Sequence, residues 1–495
     1  MQNSQEHLDP TAELTLDVVK QKAVKGALTL TGRTFFFQII NRVGDLLLTI
    51  FLGVSQYGIF WMVSSVVNFF AYFSDIGLAA ALIQKKEQVT DEELKVTFTI
   101  QQILVLSLVL LLFLISPLLR TYYHLSQEGV WLLYALGISF FLSSLKTIPS
   151  VLLERRLNFA KLIIPQIAEV VVFNLIAVYL AWRGMGVTSF TIAVVGRGMV
   201  GLVVMYALQP WRPGFSFSFS SAKGLFRFGV PYQLNTFLAV FKDDGVNIVL
   251  GGLLGPMAMG LLGWAQRWAF APLRFFMDQV IKVTFPAYSR MQDDKEELSR
   301  AVSRSIFFVT FLVFPSLIGL VLLAPELTMI IPKYEKWQPA LIALSLFSIN
   351  SAWAAVTTPL TNLMNAIGKI KTTFKLMIMW TGLTWAVVPV LASLYGVNGA
   401  AAGSAIVGTS SIVAIFVIMK QIRINLVESV GIPIVGSLIM GIALFGLKPV
   451  LPVSLPVVLV LVFVGVVVYF GTVLLLGGPS VTADFRKAYY ALRKK

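Results

Sequence analysis

The sequence predicts an all-α integral membrane protein with about 14 transmembrane helices. Three features lead to this prediction: the composition, the spacing of apolar segments and an internal repeat. Of the 495 residues, 57% are hydrophobic and only 13% are charged, and the mean hydropathy is +0.82. A soluble protein of this length is more polar, so the chain is expected to lie in a lipid bilayer.

Fourteen segments are long and apolar enough to cross a membrane. A transmembrane helix needs about 20 predominantly apolar residues, because the hydrocarbon core is about 30 Å thick. The predicted spans are 27–52, 57–83, 94–119, 129–153, 161–182, 187–207, 223–253, 255–285, 301–323, 338–364, 371–394, 397–419, 430–447 and 452–476.

An internal repeat divides twelve of these spans into two groups of six. Gly53 and Gly58 recur as Gly255 and Gly260, 202 residues later. With an offset of 210, the markers Pro149, Lys161 and Gly186 recur as Pro359, Lys371 and Gly396. Because six is even, both bundles start on the same side of the membrane, which makes the repeats parallel. The predicted divisions are a cytosolic N-terminal segment 1–26, an N-terminal six-helix lobe 27–207, a cytosolic inter-lobe linker 208–222, a C-terminal six-helix lobe 223–419, two extra C-terminal helices at 430–476 and a basic cytosolic tail 477–495.

The distribution of basic residues predicts the orientation. With a cytosolic N-terminus, and with the first five residues of each span counted in the segment before it, 26 of the 39 lysines and arginines lie in inside segments and five lie in outside loops. This asymmetry follows the positive-inside rule and puts both termini in the cytosol. The net charge of +15 therefore reflects orientation in the membrane, and no nucleic-acid partner is expected.

Composition and motifs exclude several kinds of chemistry. The chain has no cysteine, and His7 and His124 are too far apart in sequence to suggest a ligand pair, so no metal or cofactor is expected. HExxH, Walker A and GxSxG patterns do not occur. No loop between spans exceeds about 20 residues, too few for a catalytic domain. The polar start of the chain has no apolar core and is not expected to be a signal peptide.

Fourteen charged residues lie inside the predicted spans when the first five residues of each span are counted with the segment before it. A charge at the bilayer centre costs roughly 2.5 to 3.5 kcal/mol, so these groups are expected to face each other or water. Eight cations and six anions leave an excess of +2, which favours a polar cavity for an anionic solute. The cations are Arg33, Arg42, Lys146, Arg197, Lys242, Arg267, Arg274 and Lys282, and the anions are Asp45, Asp75, Glu169, Asp243, Asp244 and Asp278.

Span 255–285 carries the clearest constellation. Arg267, Arg274, Asp278 and Lys282 are spaced 7, 4 and 4 residues apart, which confines them to an arc of about 80° on a continuous helix. Asp278 can pair with either neighbour and leave the other cation for a ligand. A structural ion network between helices is the alternative.

Span 57–83 places Trp61, Asn68, Tyr72 and Asp75 on one face. The first three suit stacking on sugars and hydrogen bonding to them, although aromatic residues near helix ends also serve as interface anchors. Asp75 is instead a candidate for coupling transport to an ion gradient, together with Glu169 and Asp278.

The remaining charges suggest cavity lining or mutual pairing. Arg33, Arg42 and Asp45 lie on the first span, and the repeat places Asp244 at the position of Arg42, so a salt bridge across the pseudo-twofold axis is possible. Lys242 and Asp243 accompany Asp244. Lys146, Glu169 and Arg197 lie one each on the fourth, fifth and sixth spans, where mutual pairing is the simplest interpretation.

After the sixth span, residues 215–220 alternate Phe and Ser. A period of two is typical of a short strand or an interfacial segment. We expect a loop packed against lipid headgroups.

Four short motifs resemble a known family. They are SDIGL at 74–78, LIQKKE at 82–87, ERRLNFAK at 154–161 and FPAYSRMQDD at 285–294. Together they resemble bacterial polysaccharide-unit flippases of the Wzx type, in the multidrug/oligosaccharidyl-lipid/polysaccharide exporter superfamily. The resemblance covers nearly the whole chain.

This resemblance implies transfer of an undecaprenyl-pyrophosphate-linked oligosaccharide across the bacterial cytoplasmic membrane, for exopolysaccharide, O-antigen or capsule synthesis. It also implies a cationic cavity lined by helices 1, 2, 7 and 8, where Arg33, Arg42, Arg267 and Arg274 match the pattern. Span 57–83 departs from the full arginine cluster of peptidoglycan-precursor flippases, which disfavours lipid II as the substrate. Membrane lipid and other polysaccharide assembly proteins are the expected further partners.

Two rival functions are weaker. A cation-coupled multidrug exporter of the same superfamily typically has twelve helices and an acidic cavity. A membrane polysaccharide polymerase or glycosyltransferase would need a sizeable outer loop or a catalytic domain. The sequence thus favours a flippase working by alternating access without ATP, and not an enzyme.

Overall fold

A computed structural model describes residues 36–75, 77–85, 87–218, 237–422 and 424–493, with the side chains of 479–493 left out. Contacts divide the chain into two compact units, Met1–Gly260 (unit 1) and Leu261–Lys495 (unit 2). All regular structure in the described ranges is helical, which confirms the predicted all-α fold. The N-terminal segment 1–26, Arg33 and the end of the inter-lobe linker at 219–222 lie outside the described residues.

The first part of the chain forms nine helices in the described residues. They are α1 (36–51), α2 (Val54–Ala71), α3 (Leu78–Gln84), α4 (Asp91–Tyr123), α5 (Gln127–Leu145), α6 (Thr147–Arg155), α7 (Phe159–Trp182), α8 (Thr188–Leu208) and α9 (Phe237–Ala269), which runs to the unit boundary and past it.

The described residues of unit 2 continue with seven α-helices. They are α10 (Ala271–Arg290), α11 (Lys295–Ile330), α12 (Leu341–Ala366), α13 (Ile370–Thr409), α14 (Ser411–Met419), α15 (Ile432–Leu447) and α16 (Leu455–Arg493).

Two glycines with non-helical backbone angles lie where the sequence predicts a boundary between consecutive spans. Gly255 within α9 has φ 74° and Gly396 within α13 has φ 60°, a region that residues with a Cβ rarely adopt. Each of the fourteen predicted segments contains helix, and ten stretches of the described residues are long and apolar enough to span a membrane. A total of about 14 crossings stays a prediction.

Capping residues fix where the long helices begin. The Thr90 hydroxyl accepts the Glu93 N–H (3.2 Å), and the Glu93 carboxylate accepts the Thr90 N–H (3.0 Å), which forms a capping box for α4. At α11, the Asp294 carboxylate accepts the N–H groups of Glu296 and Glu297 (3.0 and 2.9 Å). Both helices therefore begin with a capped, charged first turn, and the apolar residues follow it.

The extra C-terminal helices belong to unit 2 and pack on α11. The buried Tyr469 hydroxyl donates to the Phe311 carbonyl (2.8 Å), and the Thr310 hydroxyl donates to the Ser429 carbonyl (2.8 Å). Further along, Lys448 pairs with Glu326 at 2.7 Å. These bonds join the C-terminal part of the chain to α11.

Candidate functional site

The first predicted span contributes a polar face that packs on α7. Asp45 is 7% exposed, and Arg42 is half-buried one turn earlier on α1. The Asn174 amide of α7 donates to the Asn41 side-chain oxygen (3.3 Å). Gly44 makes this approach possible, because a Cβ there would lie 1.7 Å from the Asn174 oxygen. Sequence reasoning missed Asn174, an isolated amide in an apolar span.

Helix α2 presents the predicted aromatic and amide residues. Trp61 is half-buried, and its indole Nε1 is buried with no hydrogen-bond partner among the described residues. Asn68 is exposed. Just beyond the helix, the Tyr72 ring lies 6.1 Å from the ring of Phe237 at the start of α9. These groups have the donors and the flat surface that a sugar can use.

Asp75 has a local structural role. Its carboxylate accepts the Ala79 N–H at 3.1 and 3.3 Å, at the start of the short helix α3. A carboxylate in this place stabilises a helix start by satisfying an orphan N–H and by complementing the helix dipole. Its assignment as a coupling carboxylate stays a prediction.

Three of the charges of α9, those of Lys242, Asp243 and Asp244, lie in one widened turn. Phe241–Gly245 forms a π-helix, a feature often found at functional sites. Within it, Lys242 pairs with the adjacent Asp243 carboxylate, and Asp244 is half-buried. The unit boundary at Gly260 places this turn in unit 1.

Lys146, Glu169 and Arg197 form the mutual cluster that sequence reasoning expected. Lys146, at the join between α5 and α6, pairs with the Glu169 carboxylate on α7. The Arg197 guanidinium of α8 is attracted to Glu169 and lies 5.6 Å from the centre of the Phe173 ring. Gly201 makes room, since a Cβ there would lie 1.9 Å from a Glu169 oxygen. The cluster carries one excess positive charge.

In unit 2, α10 separates its residues by face. Leu273 and Met277 are buried in the core, whereas Arg274, Asp278 and Lys282 are exposed. Asp278 is attracted to both of its cationic neighbours. This arrangement is a polar ridge along one helix.

Arg267 does not continue that ridge on the same helix. The predicted arc of four assumed one unbroken helix, but α9 ends at Ala269 and α10 begins at Ala271. Pro272 lacks the N–H that would continue the helical hydrogen bonds. Two amides missed by the sequence reasoning, Gln266 and Gln279, have a buried Oε1 without a hydrogen-bond partner among the described residues.

The repeated glycines meet where α2 crosses α9, within unit 1. A Cβ on Gly58 would lie 1.8 Å from the Pro256 carbonyl oxygen, and one on Gly260 would lie 2.1 Å from the Val54 carbonyl oxygen. At the repeat offset of 202, Gly260 is the counterpart of Gly58 and Pro256 that of Val54. The contact is therefore reciprocal, as expected of two elements related by a twofold axis.

Comparison with known proteins identifies the class. The family described as "Polysaccharide biosynthesis protein" matches residues 47–341, and the chain belongs to it. This membership confirms the resemblance seen in the sequence motifs.

Individual relatives agree with this family. The chain is 26% identical to the succinoglycan biosynthesis transport protein ExoT of Rhizobium meliloti, over 70% of this chain and 68% of that protein. It is 22% identical to the lipopolysaccharide biosynthesis protein WzxC of Escherichia coli, over 82% of each. Among solved structures, the lipid II flippase MurJ in an inward closed conformation shares the fold, with a TM-score of 0.74 at 15% identity, over 90% of this chain and 98% of that one.

Proposed function

We propose that this protein is a flippase that moves an undecaprenyl-pyrophosphate-linked oligosaccharide across the cytoplasmic membrane by alternating access. Membership of the polysaccharide biosynthesis family and the names of the two relatives support this proposal. The observation that carries it is the cationic ridge of α10, with Arg274 and Lys282 flanking one carboxylate.

The charge balance suggests which part of the substrate this ridge binds. Arg274, Asp278 and Lys282 give this ridge a net charge of +1, and Arg267 near the end of α9 raises the net intramembrane charge of unit 2 to +2. Pyrophosphate is the strongly anionic part of such a lipid, and arginine binds it through paired N–H donors. We assign the pyrophosphate to this ridge.

The aromatic and amide residues of α2 suit the sugar. Trp61 offers a half-buried indole ring, and Asn68 offers an exposed amide. Neutral sugars are bound through stacking and hydrogen bonds and need no net charge. The multidrug exporter alternative is less well supported, because cationic drugs would be repelled by the ridge.

Alanine substitutions distinguish binding by the ridge from a structural ion network. Arg274→Ala should leave protein abundance unchanged and abolish surface polysaccharide in a strain that lacks the flippase. Arg274→Lys should restore it only partly, because the charge remains and the planar fork is lost. Arg290→Ala, in the exposed last turn of the same helix, is the control and should behave as the parent.

Under the network alternative, Arg274→Ala leaves Asp278 without one of its cations and lowers abundance. Adding Asp278→Asn should then restore both abundance and polysaccharide. That recovery would contradict pyrophosphate binding by Arg274.

Both termini are proposed to lie in the cytosol, as the basic residues predict. The chain has no cysteine, so a single introduced thiol reports one site. Gln127→Cys, exposed at the start of α5, should react with an impermeant reagent added to intact cells, and Asp293→Cys, exposed between α10 and α11, should not. The opposite labelling would reverse the orientation.

A further inference from the structure

The chain that leaves α8 is extended and fixed to unit 1. We define the strap as residues 209–218. Trp211 is 8% exposed and belongs to an apolar cluster with Phe98, Leu82 and Ile148. The Trp211 and Phe98 rings pack edge to face with centroids 5.1 Å apart. The beginning of the inter-lobe linker is thus part of the packed unit.

Two further contacts fix the register of the strap along α4. Gly214 lies against the aliphatic stem of Lys95, where a Cβ would come 2.7 Å from the Lys95 Cε. The Ser216 N–H donates to the Thr99 hydroxyl (3.0 Å). From Gly214 to Ser216 the strap follows α4 in the direction of its apolar part.

This register decides where the alternating residues point. Ser216 and Ser218 are half-buried, whereas Phe215 is 73% exposed and Phe217 is 79% exposed. An extended chain puts successive side chains on opposite sides, so one residue of slippage would exchange the two sets. The strap therefore leaves most of both rings exposed, although one edge of Phe215 packs against Phe98 with ring centroids 5.9 Å apart. Exposed aromatic rings beside half-buried serines are opposite to the arrangement that water favours.

The surface next to these rings is a membrane surface. Helix α4 is a candidate membrane span, and its outward residues Ile103, Leu106 and Leu110 are exposed. Phe215 and Phe217 lie beside the turns that lead from the charged start of α4 into this apolar face. Arg212, at the polar end of the strap, is exposed, and basic side chains suit the phosphates of headgroups.

We propose that the strap is an interfacial anchor, whose Phe215 and Phe217 insert between the lipids of the leaflet at the start of α4. Under the proposed orientation this is the cytosolic leaflet. The occupant of the aromatic side is lipid, because the same bilayer that covers the outer face of α4 continues over the two rings. The anchor holds the chain leaving unit 1 in the interface while its polar side stays bound to the protein.

Spin-label accessibility tests this anchor in proteoliposomes of the purified full chain. Single cysteines at Phe215, Phe217 and Ser216 carry the nitroxide, with Leu106→Cys as the lipid control and Asp293→Cys as the water control. Labels at 215 and 217 should collide often with oxygen and rarely with a water-soluble nickel chelate, as at 106. The label at 216 should be poorly accessible to both.

Two outcomes would overturn the proposal. Labels at 215 and 217 that collide with nickel as often as at 293 would put the rings in water. Low accessibility to both reagents, with dipolar broadening between labels, would put a second copy of the chain on this surface. Neither result depends on transport, so the anchor can fail while the proposed function holds.

Discussion

Units 1 and 2 distribute their intramembrane charges differently. Counted from the sequence, unit 1 carries five cations and five anions in its predicted spans, and unit 2 carries three cations and one anion. Several unit 1 charges are used locally: Lys146 pairs with Glu169, Lys242 with Asp243, and Asp75 accepts a backbone N–H. The whole cationic excess therefore belongs to unit 2, on α9 and α10.

The internal repeat shows which residues of unit 2 correspond to the charged cluster of unit 1. Lys146, Glu169 and Arg197 correspond, at the offset of 210, to Val356, Met379 and Val407. Val356 is buried in the apolar core of unit 2, and Met379 packs against this core. The same six-helix pattern thus occurs without these charges, so they are not a requirement of the predicted bundle.

In the second span of each repeat, the cation lies in unit 2 and its counterpart in unit 1 is uncharged. At the offset of 202, the counterpart of Arg274 is Tyr72. One repeat offers a cation where the other offers an aromatic ring with a hydroxyl. The two repeats therefore carry different chemistry at this position.

The largest expected effect comes from breaking the unit 1 cluster. Glu169→Gln leaves Lys146 and Arg197 together without an anion, which should lower the free energy of unfolding by about 3 to 5 kcal/mol. Thermal unfolding of the purified protein in detergent measures the loss.

A triple variant tests whether the charges serve stability or transport. Lys146→Val, Glu169→Met and Arg197→Val together copy unit 2, and the protein should regain most of the lost stability. A stable triple variant that restores surface polysaccharide would make the cluster structural. A stable but inactive one would give these charges a part in the transport cycle.

Replacing a glycine by alanine should give an intermediate effect, of opposite sign at the crossing in unit 1 and at an open helical position in unit 2. Gly58→Ala forces a Cβ towards the Pro256 carbonyl, where the space is 1.8 Å, and should cost about 1 to 3 kcal/mol. Gly382→Ala in unit 2 meets no atom within 4 Å, and should stabilise its helix by roughly 0.5 to 1 kcal/mol. Equal melting temperatures for the two variants would mean that α2 and α9 are not in close contact.

The smallest effect concerns the carboxylates proposed for ion coupling. Asp75→Asn keeps an oxygen for the Ala79 N–H, so a helix cap predicts nearly parental stability, whereas Asp75→Ala should lose about 1 kcal/mol. Asp278→Asn in unit 2 removes a charge that caps no helix. Gradient-driven uptake in vesicles, measured for both amide variants at matched abundance, shows which carboxylate is needed. Loss with Asp75→Asn alone would contradict its purely structural role.

Parts of the site were predictable because they depend on local pattern. Charges within apolar spans identified the Lys146, Glu169 and Arg197 cluster, because an unpaired charge within the bilayer has a high free-energy cost. Helical spacing likewise placed Arg274, Asp278 and Lys282 on one face. Arg267 lies on the preceding helix, because the helix is interrupted between Ala269 and Ala271, and the spacing argument took no account of this break.

The sequence by itself determined the all-α membrane class, the apolar segments, the glycine joins and the repeat. Hydropathy is summed over about 20 neighbouring residues, and the repeat is a fixed spacing in the sequence. Neither depends on what the chain packs against. Only the tertiary structure decided that Asp75 caps α3, that Phe215 and Phe217 face outwards, and that Gly58 meets Pro256. The last contact joins residues almost 200 positions apart, and the space left by a missing Cβ matters only once a distant backbone fills it.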